Sequence, residues 1–214
     1  MTRNIKQSII WMIISLFFFL PVAEARNVII DAGHTYMEPG VISTTGEPEL
    51  KYNLWFGTVL MWKLNKVGVF SEIVSNLSLK DRVKYFNNSD VDLVISIHHD
   101  STQPQYLGTN KYKGFSLFIY DRKNIHLAER IGKELVSCGY SPSLHHAEDI
   151  DGERKTLLSE EYGVYQANFY ILKYTRKPIV LLEVGVITNS EEEMKLRKSS
   201  VIDGMTNCIV EAVK

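Results

Sequence analysis

Three short apolar runs, each ending on a side chain able to bind a metal or move a proton, constrain this 214-residue chain more than anything else in it. Asn27 to Ile30 feeds into Asp31-Ala32-Gly33-His34. Asp92 to His98 is rich in Val and Ile and closes on His98, and Pro178 to Glu183 closes on Glu183. Short Val/Ile/Leu runs bounded by polar residues read as buried strands, the kind that fill a sheet covered by helices. In open sheets of that kind, ligands collect at the carboxyl ends of the strands, where His34, His98 and Glu183 all fall.

The segments between these runs alternate in the same sense. From Glu49 to Val67, Leu50, Leu54, Met61 and Leu64 make a helical stripe that Gly68 ends. Val69 to Val74 is a second strand, and Ser78 with Asp81 marks a capped helix running toward Asn87. Gly114 to Tyr120 is a strand, Asn124 to Cys138 a helix, and Val164 to Leu172 strand-like. Residues 141–162 are polar and read as a long loop or partial helix, and Ser190 with Glu193 forms a capping box for a C-terminal helix. The expected fold is α/β: a single domain over 26–214, with a mostly parallel or mixed central sheet of about six strands flanked by helices.

Composition narrows the function by exclusion. With a formal net charge of −1 the chain carries no basic footprint for polyanions, so no nucleic-acid partner is expected. The N-terminus has its own character: Arg3 and Lys6 precede an apolar run from Ile9 to Leu20, Pro21 breaks it, and Ala23-Glu24-Ala25 offers small residues for cleavage. Residues 1–25 therefore read as a signal peptide with Arg26 the first mature residue, the run being shorter than the roughly 20 residues of a membrane span. The protein is expected to be exported, to the periplasm or the extracellular space, and to meet a membrane only during export. Cys138 and Cys208 can close one disulfide in an oxidising compartment or remain as free buried thiols.

Each candidate site residue has a plainer reading beside it. His34 follows a strand and a glycine, where an imidazole is either a ligand or a surface side chain. Asp31 can orient a ligand imidazole or cap the turn. Glu49 opens a helix, where acids are favoured for electrostatic reasons alone, and Glu47 competes with it. His98 ends an apolar strand and needs a partner, whereas strand alternation turns His99 to the opposite face. Glu183 lies in the most apolar strand, where an unpaired carboxylate is costly. His145 and His146 in the 141–162 segment read as solvated rather than ligating, and its acids Glu148, Asp149, Asp151 and Glu153 read as a solvated surface, with a lid over the site as their competing reading.

Taken in order, these residues resemble the zinc-dependent N-acetylmuramoyl-L-alanine amidases of the type-3 family, bacterial cell-wall hydrolases. The resemblance runs from Val28 to about Met194. It is carried by Val28 to His34 (VIIDAGH), Glu49 to Leu54 (ELKYNL), Asp92 to His98 (DLVISIH), Gly163-Val164 with Asn168 to Leu172 (NFYIL), Pro178 to Gly185 (PIVLLEVG), and Thr188-Asn189. The Glu49–Asn53 spacing within it selects Glu49 over Glu47. The resemblance implies that His34, Glu49 and His98 hold Zn2+ and that Glu183 is the catalytic carboxylate. A zinc-activated water would then cleave the amide between N-acetylmuramic acid and L-alanine of the stem peptide, with Glu183 as general base and acid. Peptidoglycan is the implied partner, and any protein activator or recruiter is unidentified. The chain departs from the family where Thr35-Tyr36 replaces the usual Gly-Gly after the first His, and where His99-Asp100 replaces Ala-Asn after the second. A zinc carboxypeptidase or deacetylase, or a wall-binding protein without turnover, are the competing classes.

Overall fold

The computed structural model describes residues 27–102, 110–148 and 155–214; residues 1–25 and the cleavage point after Ala25, like Asp149, Asp151 and Glu153, lie outside the described residues. Strand periodicity builds the core. Along β1 (Asn27–Ala32), Val28 and Ile30 enter one apolar cluster and Ile29 enters another on the opposite face. Two further strands repeat this division. In β3 (Leu93–Asp100), Leu93, Ile95 and Ile97 face the first cluster and Val94 the second, and in β7 (Ile179–Val186) Val180 and Leu182 oppose Ile179 and Leu181.

Helices cover both faces. The first cluster is closed by α1 (Glu49–Lys66), α3 (Ile125–Ser137) and α6 (Ser199–Val213), which bring Phe56, Leu60, Ile131, Leu135, Met205 and Ile209. The second is closed by α2 (Leu79–Asn88) and the short α4 (Tyr170–Tyr174), which bring Val83, Phe86, Ile171 and Leu172. With β2 (Phe70–Val74), β4 (Ser116–Ile119), β5 (Thr156–Ser159) and β6 (Val164–Gln166), the described residues form one seven-stranded sheet in the order β2-β1-β3-β7-β4-β6-β5. Pairing is parallel from β2 through β7, antiparallel between β7 and β4, parallel between β4 and β6, and antiparallel between β6 and β5.

The α/β class and the covered sheet match expectation, but several boundaries do not. The sheet has seven strands rather than about six because part of the polar 141–162 segment folds as β5, an edge strand hairpinned onto β6. The strand-like stretch from Val164 stops at Gln166; Phe169 is still extended, and the chain then turns into α4, whose Ile171 and Leu172 pack under the sheet. The C-terminal helix is two helices, α5 (Ser190–Leu196) and α6, and its expected capping box does not form. Asn189 caps α5 by accepting from the amides of Glu191 and Glu192. Glu193 is drawn away instead, accepting from the hydroxyls of Thr44, Thr45 and Tyr52. Burial works upward on its carboxyl, but these hydrogen bonds outweigh that and hold it down at about 2. The expected Ser78 cap is present, its hydroxyl accepting from the Asp81 amide at 3.2 Å.

Cys138 and Cys208 form a disulfide that ties the end of α3 to α6. Asp31 neither meets an imidazole nor caps a turn. Being on the Ile29 face of β1, it points beneath α2, where it is fully buried against Arg82 (3.1 and 3.2 Å) and the Ser96 hydroxyl (2.6 Å). Removing the carboxylate would leave a buried guanidinium unpaired. Asp31→Ala is therefore expected to lower folding stability by about 3–5 kcal/mol. Chemical denaturation measures this directly, and a wild-type midpoint would contradict the expectation.

Candidate metal and proton-transfer site

The strand ends at one edge of this sheet carry the candidate side chains. Beyond Ala32 the chain leaves the sheet through Gly33, whose amide donates to the Ile97 carbonyl at 3.0 Å. His34 follows with φ 74°, a left-handed conformation uncommon outside glycine that costs on the order of 1 kcal/mol or more. The turn aims its ring at the start of α1. There His34 Nε2 lies 2.8 Å from Glu49 Oε2, and His98 Nδ1 lies 3.0 Å from Glu49 Oε1. The two imidazole rings meet edge to face with centroids 5.0 Å apart. One donor atom from each of the three side chains lies within 4.8 Å of the others, close enough to share a metal ion.

Glu49 is the best-anchored member. It is 4 % exposed, and Oε1 also accepts from the His99 amide (3.2 Å) and the Asn53 amide nitrogen (3.2 Å), while Oε2 accepts from the Val41 amide (3.3 Å). Burial alone would raise this carboxyl, but hydrogen bonds and charge from His34 and His98 outweigh it, so the group sits well below the usual carboxylate range. It is thus held as the anion a cation would need. Asn53, one helical turn on, bridges Glu49 to the Gly33 carbonyl and to His99 Nδ1. His99 does face away from His98, as alternation requires: it is buried near Tyr52 and Phe56 on the α1 side. Burial pulls its imidazole down to about 3, which keeps it neutral. Thus the competing acid Glu47 stays outside the cluster, pairing with Lys51 at 2.8 Å.

Glu183 reaches the same place from the next strand. The parallel register pairs it with His98, and β4 brings Ser116 opposite it from the other side. Its Oε2 is sealed from solvent without a hydrogen-bond partner among the described residues. Burial pushes its carboxyl well above the ordinary value, and the charges of Asp100 and Glu49 push it the same way. A carboxyl in that state holds a proton readily.

His145 and His146, expected to be solvated, are not. They sit on a 3-10 turn (His145–Ala147) folded over the end of β3 and face Asp100 at 3.3 and 2.8 Å. Asp100 stands out in the sequence only as a departure from the family pattern; its place directly after His98-His99, with a second His pair downstream, is the signal that marks it.

Comparison with known proteins follows this geometry. The family model described as N-acetylmuramoyl-L-alanine amidase matches residues 28–214. Among relatives, protein YqiI of Bacillus subtilis (strain 168) is 28% identical, covering 89% of this chain and 84% of that one. The N-acetylmuramoyl-L-alanine amidase LytC of the same organism is 28% identical over 86% of this chain and 34% of its own length. Among solved structures, an N-acetylmuramoyl-L-alanine amidase from Clostridium difficile 630 superposes with a TM-score of 0.71 at 26% identity, covering 89% of this chain and 96% of that one.

The tightest packing constraint on the triad is Gly33, where an added Cβ would overlap the His98 ring. Gly33→Ala must therefore displace that ring. The expected result is a folded protein whose affinity for a divalent ion falls by about 10–100-fold, as for other changes that disorient a ligand. Calorimetric titration with Zn2+ checks it; an unchanged affinity would show that His98 tolerates the shift.

Proposed function

The chain belongs to the N-acetylmuramoyl-L-alanine amidase family, and from that premise we propose that it is a zinc enzyme, with His34, Glu49 and His98 holding the ion and Glu183 moving the proton. The bond cleaved is the amide between the lactyl group of N-acetylmuramic acid and L-alanine of the stem peptide, so the partner is peptidoglycan. The observation that carries this reading is the convergence of two imidazoles and a carboxylate from three separate segments, with Glu183 in register beside His98.

The residues fit zinc by their chemistry. Two imidazole nitrogens and one carboxylate oxygen are the three-ligand set of a catalytic zinc site that keeps one position open. The closeness of the donors leaves no room for a side chain at Gly33 or Gly40, since a Cβ at Gly40 would overlap Glu49 Oε2. Zinc bound there supplies positive charge that polarises the scissile carbonyl and acidifies water.

The protein's own groups do the rest. Asn53 and the His99 amide fix Glu49 Oε1, and the neutral His99 ring in turn fixes Asn53, so the helix start presents its carboxylate in one orientation. Glu183 takes a proton from the attacking water and returns it to the departing nitrogen. The C–N bond breaks, the lactyl carbonyl carbon gains the oxygen, and L-alanine leaves as an amine. The raised affinity of Glu183 for a proton favours the first half of this transfer, and positive charge held by His34, Glu49 and His98 would favour the second by stabilising the carboxylate left behind.

The place of action is outside the cytosol. Residues 1–25 carry the signal-peptide pattern, and the Cys138–Cys208 disulfide suits an oxidising compartment. Among the described residues no helix is long and apolar enough to cross a membrane.

Glu183→Gln keeps the size of the side chain and removes its basicity. It is expected to retain zinc while its rate of stem-peptide release falls by about 10²–10⁴-fold. Mass spectrometry of digested cell wall reads the product: intact stem peptides support the amidase assignment, whereas single amino acids would indicate a carboxypeptidase. Wild-type turnover in the variant would remove Glu183 from the chemistry.

A further inference from the structure

Beyond the triad, a second group of the same composition lies at the end of β3. Asp100 is 9 % exposed, and its Oδ2 lies 2.8 Å from His146 Nε2 and 3.3 Å from His145 Nε2. One donor atom from each of these three side chains falls within 4.8 Å of the others. The consecutive imidazoles stack with centroids 3.9 Å apart and an interplanar angle of 35°. Their walls are aromatic: Tyr112 stands 4.8 Å from the His145 ring, and Phe118 and Tyr165 stand 4.9 and 5.6 Å from the His146 ring.

Hydrogen bonding alone satisfies this cluster poorly. His145 Nε2 is sealed from solvent, more than nine-tenths of the side chain being buried, and is not aligned for a hydrogen bond to Asp100 despite its proximity. Two imidazole nitrogens compete for one carboxylate oxygen, and protonating both rings would stack two cations at van der Waals distance. A divalent cation removes the conflict, because both Nε2 lone pairs and the carboxylate oxygen then point at positive charge. The rest of the cluster is arranged as metal ligands usually are. His145 Nδ1 is 2.7 Å from the Ser143 hydroxyl, a contact that fixes the ring and leaves Nε2 to face Asp100. Ser143 is itself buried, and its carbonyl accepts from the Tyr165 hydroxyl at 2.8 Å.

We propose that Asp100, His145 and His146 form a second divalent-cation site, distinct from His34, Glu49 and His98, suited to zinc or a similar first-row transition ion. Imidazole with carboxylate selects such an ion over calcium or magnesium, which favour all-oxygen sites. The site does not depend on the proposed reaction. Its carboxylate does act on the same neighbour, since Asp100 and Glu49 both bear on the Glu183 carboxyl.

The test is a metal count on the full-length protein, stripped with chelator and titrated separately with Zn2+ and Co2+. Bound metal is measured by plasma mass spectrometry, and the ligand field by visible absorption of the cobalt form. The expected result is two equivalents in the wild type, one in His146→Ala and in Asp100→Asn, and one in His34→Ala, with distinct cobalt spectra for the two single sites. A wild type that binds a single equivalent and loses it in His34→Ala overturns the second site and leaves the proposed function standing. So does full wild-type binding in both His146→Ala and Asp100→Asn. A single equivalent that survives His34→Ala but vanishes in His146→Ala supports the second site and defeats the first. If either variant at the second site fails to fold, judged by circular dichroism, the wild-type count decides alone.

Discussion

The pairing of β3 with β7 is the constraint from which the site follows. Four consecutive pairs from Val94 with Ile179 through Ile97 with Leu182, all apolar except Ser96 with Leu181, lock the two strands in parallel register, and the next pair is His98 with Glu183. A slip of one residue would turn Val94, Ile95, Leu181 and Leu182 to the wrong faces and exchange one apolar cluster for the other. Burial of the core thus sets the position of the chemistry. The register then breaks between His98 and Asp100, so that Asp100 pairs with Val186. Such irregularities at strand ends re-aim side chains, and this one falls where the strand passes from the triad to the second histidine pair.

The other members of the proposed triad are brought to that edge by turns and by side chains buried beneath them. Glu49 needs its helix to begin at one place. The chain before it is held by Glu193, which gathers Thr44, Thr45 and Tyr52 from α5, while Asn53 ties the first turn of α1 to Gly33. Asp31 with Arg82 and Ser96 fills the opposite side of the sheet just below His34. Asp31, Asn53, Arg82, Ser96 and Glu193 are all buried. They fix the backbone from which His34, Glu49 and His98 project, which is how a site on loops and element ends keeps the precision that ligands require.

Much of this was legible because strand burial writes itself plainly in sequence. The runs ending at His98 and Glu183 could only be buried strands, and the face of His99 followed from alternation. What was not legible depended on tertiary partners. Asp31 reads in sequence as either an imidazole-orienting or a turn-capping residue because nothing local shows that Arg82, on another element, lies beneath it. Glu193 had the spacing of a capping box, yet three hydroxyls from distant chain outcompeted the backbone amide of its own helix. The polarity of the 141–162 segment suggested solvation. His145 and His146 are instead held by Asp100 and by aromatic walls on β4 and β6, a long-range match that composition does not reveal. Edge strand β5 was hidden because it is only four residues long, sits in a polar segment and pairs with one neighbour.

Anomalous diffraction at the zinc edge, from crystals of the zinc-loaded protein, tests the central claim most directly. A peak about 2.0–2.2 Å from His34 Nε2, His98 Nδ1 and a Glu49 carboxylate oxygen, with the Glu183 carboxyl facing it, is the result required. Zinc-replete crystals with no peak at that position would contradict it.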